Sequence, residues 1–378
     1  ETVMLCAGGM PLFESMLTAF GTAGTGGFGF RNDSFASFSP YIQWVVTVFM
    51  ILFGVNFNVY FLLLLRRFRR AASSEEVRAY FAIILAAVAV ITVNIRSLYG
   101  TFGEALRHAA FQVGSIITTT GFSSCDFDLW PTLAKEVLVL LMFVGACAGS
   151  TGGGIKVSRF LLLGKTLGKE LKQALHPQVV APVRMDGKLV NHETIRTTNV
   201  FLAAYIFIFA ASFFLISLDD FDMVTNFTAI AATLNNIGPG LAQVGPMMNF
   251  GSFTNPAKLV MIFDMLVGRL EIFPMLVLFL PILDMCLAIV RRLSKGQSPM
   301  HPDRMHLHHR MLRIGHTVQG AVLILWGWAS LIAFGSIMIL FFKAQYVLIG
   351  FLIAAALLTV ATMYPYLKHR IPEIREEN

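Results

Sequence analysis

Apolar runs long enough to cross a bilayer limit this chain more than any other feature. Residues 41–65 carry few polar side chains before Arg66, Arg67, Arg69 and Arg70 close the run. A spanning helix needs about 20 such residues to cross a hydrocarbon core roughly 30 Å thick. Further apolar runs cover residues 81–95, 136–148 resuming at 155–163, 200–218 and 259–280. Residues 318–342 and 346–364 read as a terminal hairpin. Only 13% of the 378 residues are charged and 56% are hydrophobic, where a soluble domain carries about a quarter charged. Disorder, a collagen-like repeat and a disulfide scaffold are excluded on the same grounds. The expected fold class is an all-α polytopic membrane protein in the lipid bilayer.

With 29 Lys and Arg against 22 Asp and Glu, the net charge is +7. In a membrane protein that excess marks basic cytoplasmic loops, so no nucleic acid partner is expected. Arg66, Arg67, Arg69 and Arg70, the basic residues of 156–172 and those of 291–313 should be cytoplasmic. Asp33, Asp126, Asp128, Asp219, Asp220 and Asp222 then fall on the opposite side, either concentrating cations or capping loops. Cys6, Cys125, Cys147 and Cys286 form no CxxC pair, so neither a zinc site nor a redox motif is indicated. The chain opens on Glu1 with no cleavable signal peptide, which reads as an N-terminal truncation.

Between the long runs lie half-apolar stretches at residues 10–23, 102–117 and 223–234. They are too short to span and suit re-entrant helices. Each ends in a related sequence: Thr25-Gly26-Gly27-Phe28, Thr119-Thr120-Gly121-Phe122 and Asn236-Ile237-Gly238-Pro239. In the second and third units a span precedes the loop and another follows, an internal repeat of helix, re-entrant loop, helix. A filter for a dehydrated cation needs backbone carbonyls along a narrow path, and the extended backbone that supplies them favours glycine. Such carbonyls suit K⁺. Glycine can also serve close helix packing, but three glycines in matching contexts favour the filter.

Two phosphate-binding readings fail. Residues 24–29 match GxGxxG formally, yet no βαβ unit surrounds them. Residues 149–156 resemble a phosphate loop, but Ile155 stands where Lys should follow the last glycine.

TAFGTAGTGGFGF, ITTTGFSS, GACAGSTGGGIKVSR, LNNIGPGL and DMLVGRLEIFP resemble the Trk/Ktr/HKT potassium transporter superfamily, in particular its bacterial Trk membrane subunit. The resemblance covers about residues 1–279. It implies four helix–loop–helix repeats around one pore, with Gly27, Gly121 and Gly238 in the second, third and fourth filters. By the same resemblance Gly152, Gly153 and Gly154 belong to an intramembrane gating loop that Lys156 follows, and Arg269 lies near the gate. The alternative for Arg269 is an internal pair with Glu271 or Asp264. Residues 1–70 then form a partial second repeat, 71–175 the third and 176–279 the fourth. The first repeat is absent, so one chain does not close the pore alone. The resemblance also implies a homodimer, a cytosolic nucleotide-binding regulatory subunit and the bacterial cytoplasmic (inner) membrane. No cofactor is expected; K⁺ is the transported ion.

Residues 280–378 resemble instead the C-terminal end of the polyprenyl-phosphate N-acetylhexosamine-1-phosphate transferases, through Asp303, Arg304, His306, His308 and His309 in a basic loop. Mg²⁺ enters only under that alternative, and the cytoplasmic acidic pair the chemistry needs is not found. Zinc binding by the histidines fits no standard spacing. The chain thus reads as a transporter rather than an enzyme, joined to a transferase-like tail by fusion, deletion or artefact.

Overall fold

The structure, a computed structural model, describes residues 1–179 and 181–270. Glu271, the loop carrying Asp303, Arg304, His306, His308 and His309, and the expected terminal hairpin lie outside the described residues. The described residues fall in one compact unit, Glu1–Ile282. In chain order its helices are α1 (Thr2–Ala7), α2 (Leu12–Ala23), α3 (Pro40–Phe53), α4 (Phe57–Leu64), α5 (Phe68–Ala72) and α6 (Glu75–Ile95). There follow α7 (Phe102–Ile117), α8 (Thr132–Phe143), α9 (Val157–Leu175), α10 (His192–Ile216), α11 (Met223–Leu234) and α12 (Asn255–Leu270). One antiparallel hairpin, β1 (Arg184–Met185) with β2 (Lys188–Leu189), interrupts them between α9 and α10. The fold is all-α, as the apolar runs require.

Local chemistry sets the helix starts. Ser39 accepts the Ile42 N–H at 3.4 Å ahead of Pro40, which takes the first helical position of α3. Thr101 accepts the Glu104 N–H at 3.2 Å to open α7, and Asp222 accepts the Thr225 N–H at 3.0 Å to open α11. The Thr225 hydroxyl bond, chiefly, holds the Asp222 carboxyl below its ordinary range. Asp126 accepts the Asp128 N–H, and Asp219 accepts the Thr254 N–H. Several of the aspartates placed on one side by sequence thus cap helices and turns.

The helices α2, α7 and α11 hold 12, 16 and 12 residues, or about 18–24 Å, which is short of a bilayer core. Packing rather than length keeps them in place. α7 is buried nearly all round between α3, α6 and α8, and α11 between α8, α10 and α12. α2 packs on α1 and α3. By length and composition α6 and α10 are able to cross a membrane.

The run at residues 41–65 does not form one continuous helix, as its unbroken hydropathy suggested. α3 and α4 meet at 92°. Backbone groups freed by the bend find partners, as a membrane interior demands. The Tyr60 hydroxyl donates to the Leu52 carbonyl, and the Tyr80 hydroxyl donates to the Ile51 carbonyl at 3.0 Å. The Cys147 N–H donates to Gly54 O at 3.0 Å, and Asn56 Oδ1 accepts the Asn58 N–H to start α4.

Midway along α9 a second tie forms. Lys165 Nζ donates to the Glu75 carboxylate and, at 2.7 Å, to Arg184 O, while Asp186 accepts the Glu75 N–H at 2.7 Å. The β-hairpin, the start of α6 and the middle of α9 are held together there.

A β-carbon at Gly54 would stand 2.3 Å from the Tyr80 hydroxyl and 2.8 Å from Thr118 Cγ2. Gly54→Ala should therefore destabilise the protein by about 1–3 kcal/mol, read as a lower unfolding temperature in detergent. Adding Tyr80→Phe should recover part of the loss; equal loss in single and double variants would contradict this account of the bend.

Candidate functional site

The C-terminal ends of α2, α7 and α11 carry the three loops singled out by sequence, and their backbones repeat one turn. At each end the residue after the cap is left-handed: Thr25 (φ 47°), Thr119 (φ 58°) and Asn236 (φ 58°). Two residues on, the glycine is again at positive φ: Gly27 (64°), Gly121 (85°) and Gly238 (110°). The hydrogen bonds match too. The N–H groups of Thr25, Thr119 and Asn236 reach Thr22, Ile116 and Thr233 carbonyls, and those of Gly26, Thr120 and Ile237 reach Gly21, Ser115 and Ala232 carbonyls. This is the Schellman pattern that satisfies the last carbonyls of a helix. Sequence called for glycine where φ excludes other side chains, and Gly27, Gly121 and Gly238 are all at positive φ; the turn just before each one supplies donors to the last helix carbonyls.

A β-branched residue in the left-handed region is costly, about 1–2 kcal/mol. The side chains held there are in use. Thr25 Oγ1 donates to Thr151 O at 2.9 Å, Thr119 Oγ1 accepts the Gly153 N–H at 2.6 Å, and Asn236 Nδ2 donates to Met265 O at 3.0 Å.

The loops meet in order. A β-carbon at Gly27 would lie 1.8 Å from Thr120 O, and one at Gly121 would lie 2.0 Å from Ile237 O. First loop touches second, and second touches third, backbone to backbone. Between third and first the contact is missing. A cavity of about 880 Å³ lies there, with Thr25, Gly26 and Phe28 on one wall and Asn236, Ile237 and Gly238 on the other. At Gly238 an added β-carbon would find only Gly121 Cα, 3.9 Å away.

The glycine-rich residues 149–154 press against the same three helix ends. Thr151 Oγ1 donates to Ala23 O at 2.9 Å. A β-carbon at Gly152 would be 3.2 Å from Thr118 O, and one at Gly153 would be 2.7 Å from Asn235 O. Gly154, at φ 68°, faces Asn235 and Gly145. Lys156 Nζ donates back to Gly152 O. The loop closes at its neck, where Gly145 N–H meets Ile155 O at 2.7 Å and Val157 N–H meets Ala146 O at 3.3 Å. A second cavity, about 330 Å³, lies against this loop with Arg159, Tyr205 and Arg269 in its wall.

Arg269 reaches the first loop. Its guanidinium donates to Gly24 O at 2.7 Å and to Thr25 Oγ1 at 3.3 Å. A cation at the carbonyl end of α2 is favourable. Asp264 is not its partner: that carboxylate accepts the Ser212 hydroxyl at 2.7 Å.

A family model described as the TrkH cation transport protein matches residues 1–285. The chain belongs to that family. It is 36% identical over 277 residues to the Trk system potassium uptake protein TrkH of Salmonella typhimurium, covering 72% of this chain and 57% of the relative. With the Trk system potassium uptake protein TrkG of Escherichia coli it shares 31% over 280 residues, covering 72% and 56%. The crystal structure of the potassium transporter TrkH from Vibrio parahaemolyticus matches with a TM-score of 0.67 at 33% identity, covering 73% of this chain and 60% of that one. The chain spans a little over half the length of these relatives. The family match ends at residue 285, close to where the resemblance stops in the sequence.

Sequence reasoning about this TrkH-family chain missed Glu76, Thr151, Asn235 and Gly268. Glu76 is buried in the first turn of α6, and one of its oxygens accepts both the Ala148 N–H at 2.6 Å and the Ser158 N–H at 3.1 Å. It thereby holds both feet of the loop at 149–154. Asn235 Oδ1 accepts the Tyr205 hydroxyl at 3.0 Å. Gly268 lets α12 approach, since a β-carbon there would stand 1.8 Å from Leu234 O. The only signal was indirect: Gly268 lies within the DMLVGRLEIFP motif, and Asn235 within LNNIGPGL.

The loop contacts rank three substitutions. Gly27→Ala and Gly121→Ala should each cost about 3 kcal/mol or more, since backbone must shift. Gly238→Ala should cost only the left-handed strain, about 1–2 kcal/mol. Thermal unfolding of the three purified variants checks the order, and equal losses would refute the loop-to-loop contacts.

For Glu76, replacement by Ala leaves two buried N–H groups without an acceptor, at about 1–3 kcal/mol each. Hydrogen exchange at residues 146–158 should quicken markedly in Glu76→Ala and little in Glu76→Gln, which keeps an acceptor. Unchanged exchange in both would mean the loop is held by other contacts.

Proposed function

We propose that the chain forms most of a K⁺ uptake path across the bacterial cytoplasmic membrane, and that it is a transporter rather than an enzyme. The observation that carries this reading is the convergence of three loops of one backbone shape, each on a half-span helix, with a single glycine-rich loop across their inner ends. Carbonyls of Thr25, Gly26, Gly27, Thr119, Thr120, Gly121, Asn236, Ile237 and Gly238 then replace the ion's hydration shell. The loop with Gly152, Gly153 and Gly154 obstructs the path below, steadied by Lys156, by Glu76 and through Thr25 by Arg269. The relatives named as potassium uptake proteins favour K⁺ as the cargo.

The open side between the first and third loops suits a fourth filter segment, as the family resemblance implies, and residues 1–70, 71–175 and 176–279 are then three of four pore units. A homodimer and a cytosolic nucleotide-binding regulatory subunit follow from the same resemblance. The transferase likeness of residues 280–378 remains a proposal of relatedness, and sequencing the gene across the codon for Phe279 decides whether the two parts share a reading frame.

With the missing first pore unit restored, rubidium uptake into a bacterial strain lacking its own K⁺ uptake systems tests the path. Gly121→Asp should abolish uptake, because a side chain and a charge enter where backbone meets backbone. Deleting residues 152–154 should raise it severalfold by clearing the obstruction. Uptake indifferent to both changes would overturn the reading.

A further inference from the structure

After the 92° bend, α4 and α5 present a surface that nothing among the described residues covers. α4 packs inward through Val59 and Tyr60. Its other side shows Phe57, Phe61 and Leu64 at helical spacing, and beyond the turn Leu65 and Phe68 are exposed too; Phe61 is 60% exposed and Leu64 80%. The chain leaves α4 through a left-handed Arg66 (φ 56°), with Arg66 N–H on Leu63 O and Arg67 N–H on Leu62 O. Four exposed arginines follow within five residues: Arg66, Arg67, Arg69 and Arg70. None forms an ion pair among the described residues.

We propose that α4–α5 is an interfacial element that binds the anionic phospholipid headgroups of the cytoplasmic leaflet and passes that engagement to the loop at 149–154. Depth supports it. With Pro40 set at the outer edge of the core and α3 along the membrane normal, its 14 residues cover about 21 Å and leave roughly 9 Å of a 30 Å core. An in-plane helix at that level sits where interfacial helices bury their apolar faces, about 5–10 Å below the headgroups. Charge supports it as well. Basic groups just outside an apolar face are drawn to anionic headgroups by their charge, and the four arginines stand just beyond the apolar face. An acidic protein partner would satisfy the arginines but leave Phe57, Phe61 and Leu64 without a reason to be apolar; a lipid satisfies both.

The connection to the loop is direct. At the two ends of the bend, Gly54 O accepts the Cys147 N–H at 3.0 Å, and the Phe57 N–H donates to Gly149 O at 3.2 Å. Lipid held on α4 therefore pulls on the loop's entry strand. This second half of the proposal rests on the transport reading; the binding half does not.

The test uses the full chain in two arms. In the first, native mass spectrometry follows retention of phosphatidylglycerol against phosphatidylcholine. Each basic group near a membrane surface contributes about fivefold, so changing all four arginines to Gln should lower phosphatidylglycerol retention on the order of several hundredfold. Changing all four to Lys should preserve it. Equal retention in wild type and the Gln variant, or loss of a dimer with lipid retention unchanged, overturns the proposal. In the second arm, rubidium flux is compared in vesicles of phosphatidylcholine alone and with a third phosphatidylglycerol. Flux should respond to the anionic lipid in wild type and in the Lys variant. The response should vanish in the Gln variant and after deletion of residues 152–154. A response that survives that deletion overturns the coupling. Selective retention without flux in any vesicle supports the lipid site and strikes the transport reading and the coupling that rests on it.

Discussion

A helix that ends inside a membrane leaves carbonyls that water cannot reach. Three short helices here end against one another, and the rest of the site depends on how their last carbonyls are satisfied. The same left-handed turn serves α2, α7 and α11, folding the chain back so that Gly26, Thr120 and Ile237 donate to the helix they follow. The turn also fixes where the glycine two residues after each left-handed residue will lie, and so brings Gly27 against Thr120 and Gly121 against Ile237. The strain at Thr25 and Thr119 is offset by the contacts those hydroxyls make with Thr151 and Gly153. The three turns and the loop at 149–154 are in this sense one structure.

How much of this was legible depends on whether the deciding contact is local. The short helices read well, because Thr101 and Asp222 cap them locally and a break in hydropathy ends them. The observed α7 and α11 coincide with the expected stretches, and α2 starts two residues later than expected. The bend after Phe53 was not legible. Hydropathy counts side chains, and Gly54 lies in an otherwise apolar run; its partners Tyr80 and Cys147 are distant in sequence. Nor does any propensity scale place threonine in the left-handed region, since its reasons to be there come from a loop elsewhere in the chain. Arg269 stood out as a charge in an apolar run, but its partner, a carbonyl at Gly24, is invisible to a search for counter-charges.

The loop at 149–154 is held from several directions at once. Glu76 fixes its feet, Thr25, Thr119 and Ala23 fix its tip, and Gly54 and Phe57 fix its entry strand. Most of these bonds involve backbone groups of the loop, so side-chain replacement within it changes little of the network. Glycine at 152 and 153 matters because it lets the loop lie flat on the carbonyls of Thr118 and Asn235.

The pin at Lys165 gives α9 a mechanical character. A rigid rod turns about its ties, and α9 has two, Ser158 N–H on Glu76 at its foot and Lys165 on Glu75 at its middle. From Lys165 to Val157, the foot of the loop at 149–154, is about 12 Å, and from Lys165 to Leu175 about 15 Å. With the foot tied as well, a sideways push on the outer end is taken up at Lys165 and Ser158 before it reaches the loop. The fulcrum itself is an ion pair with Glu75 and a carbonyl of the β-hairpin, so high ionic strength loosens the pivot before it touches either arm.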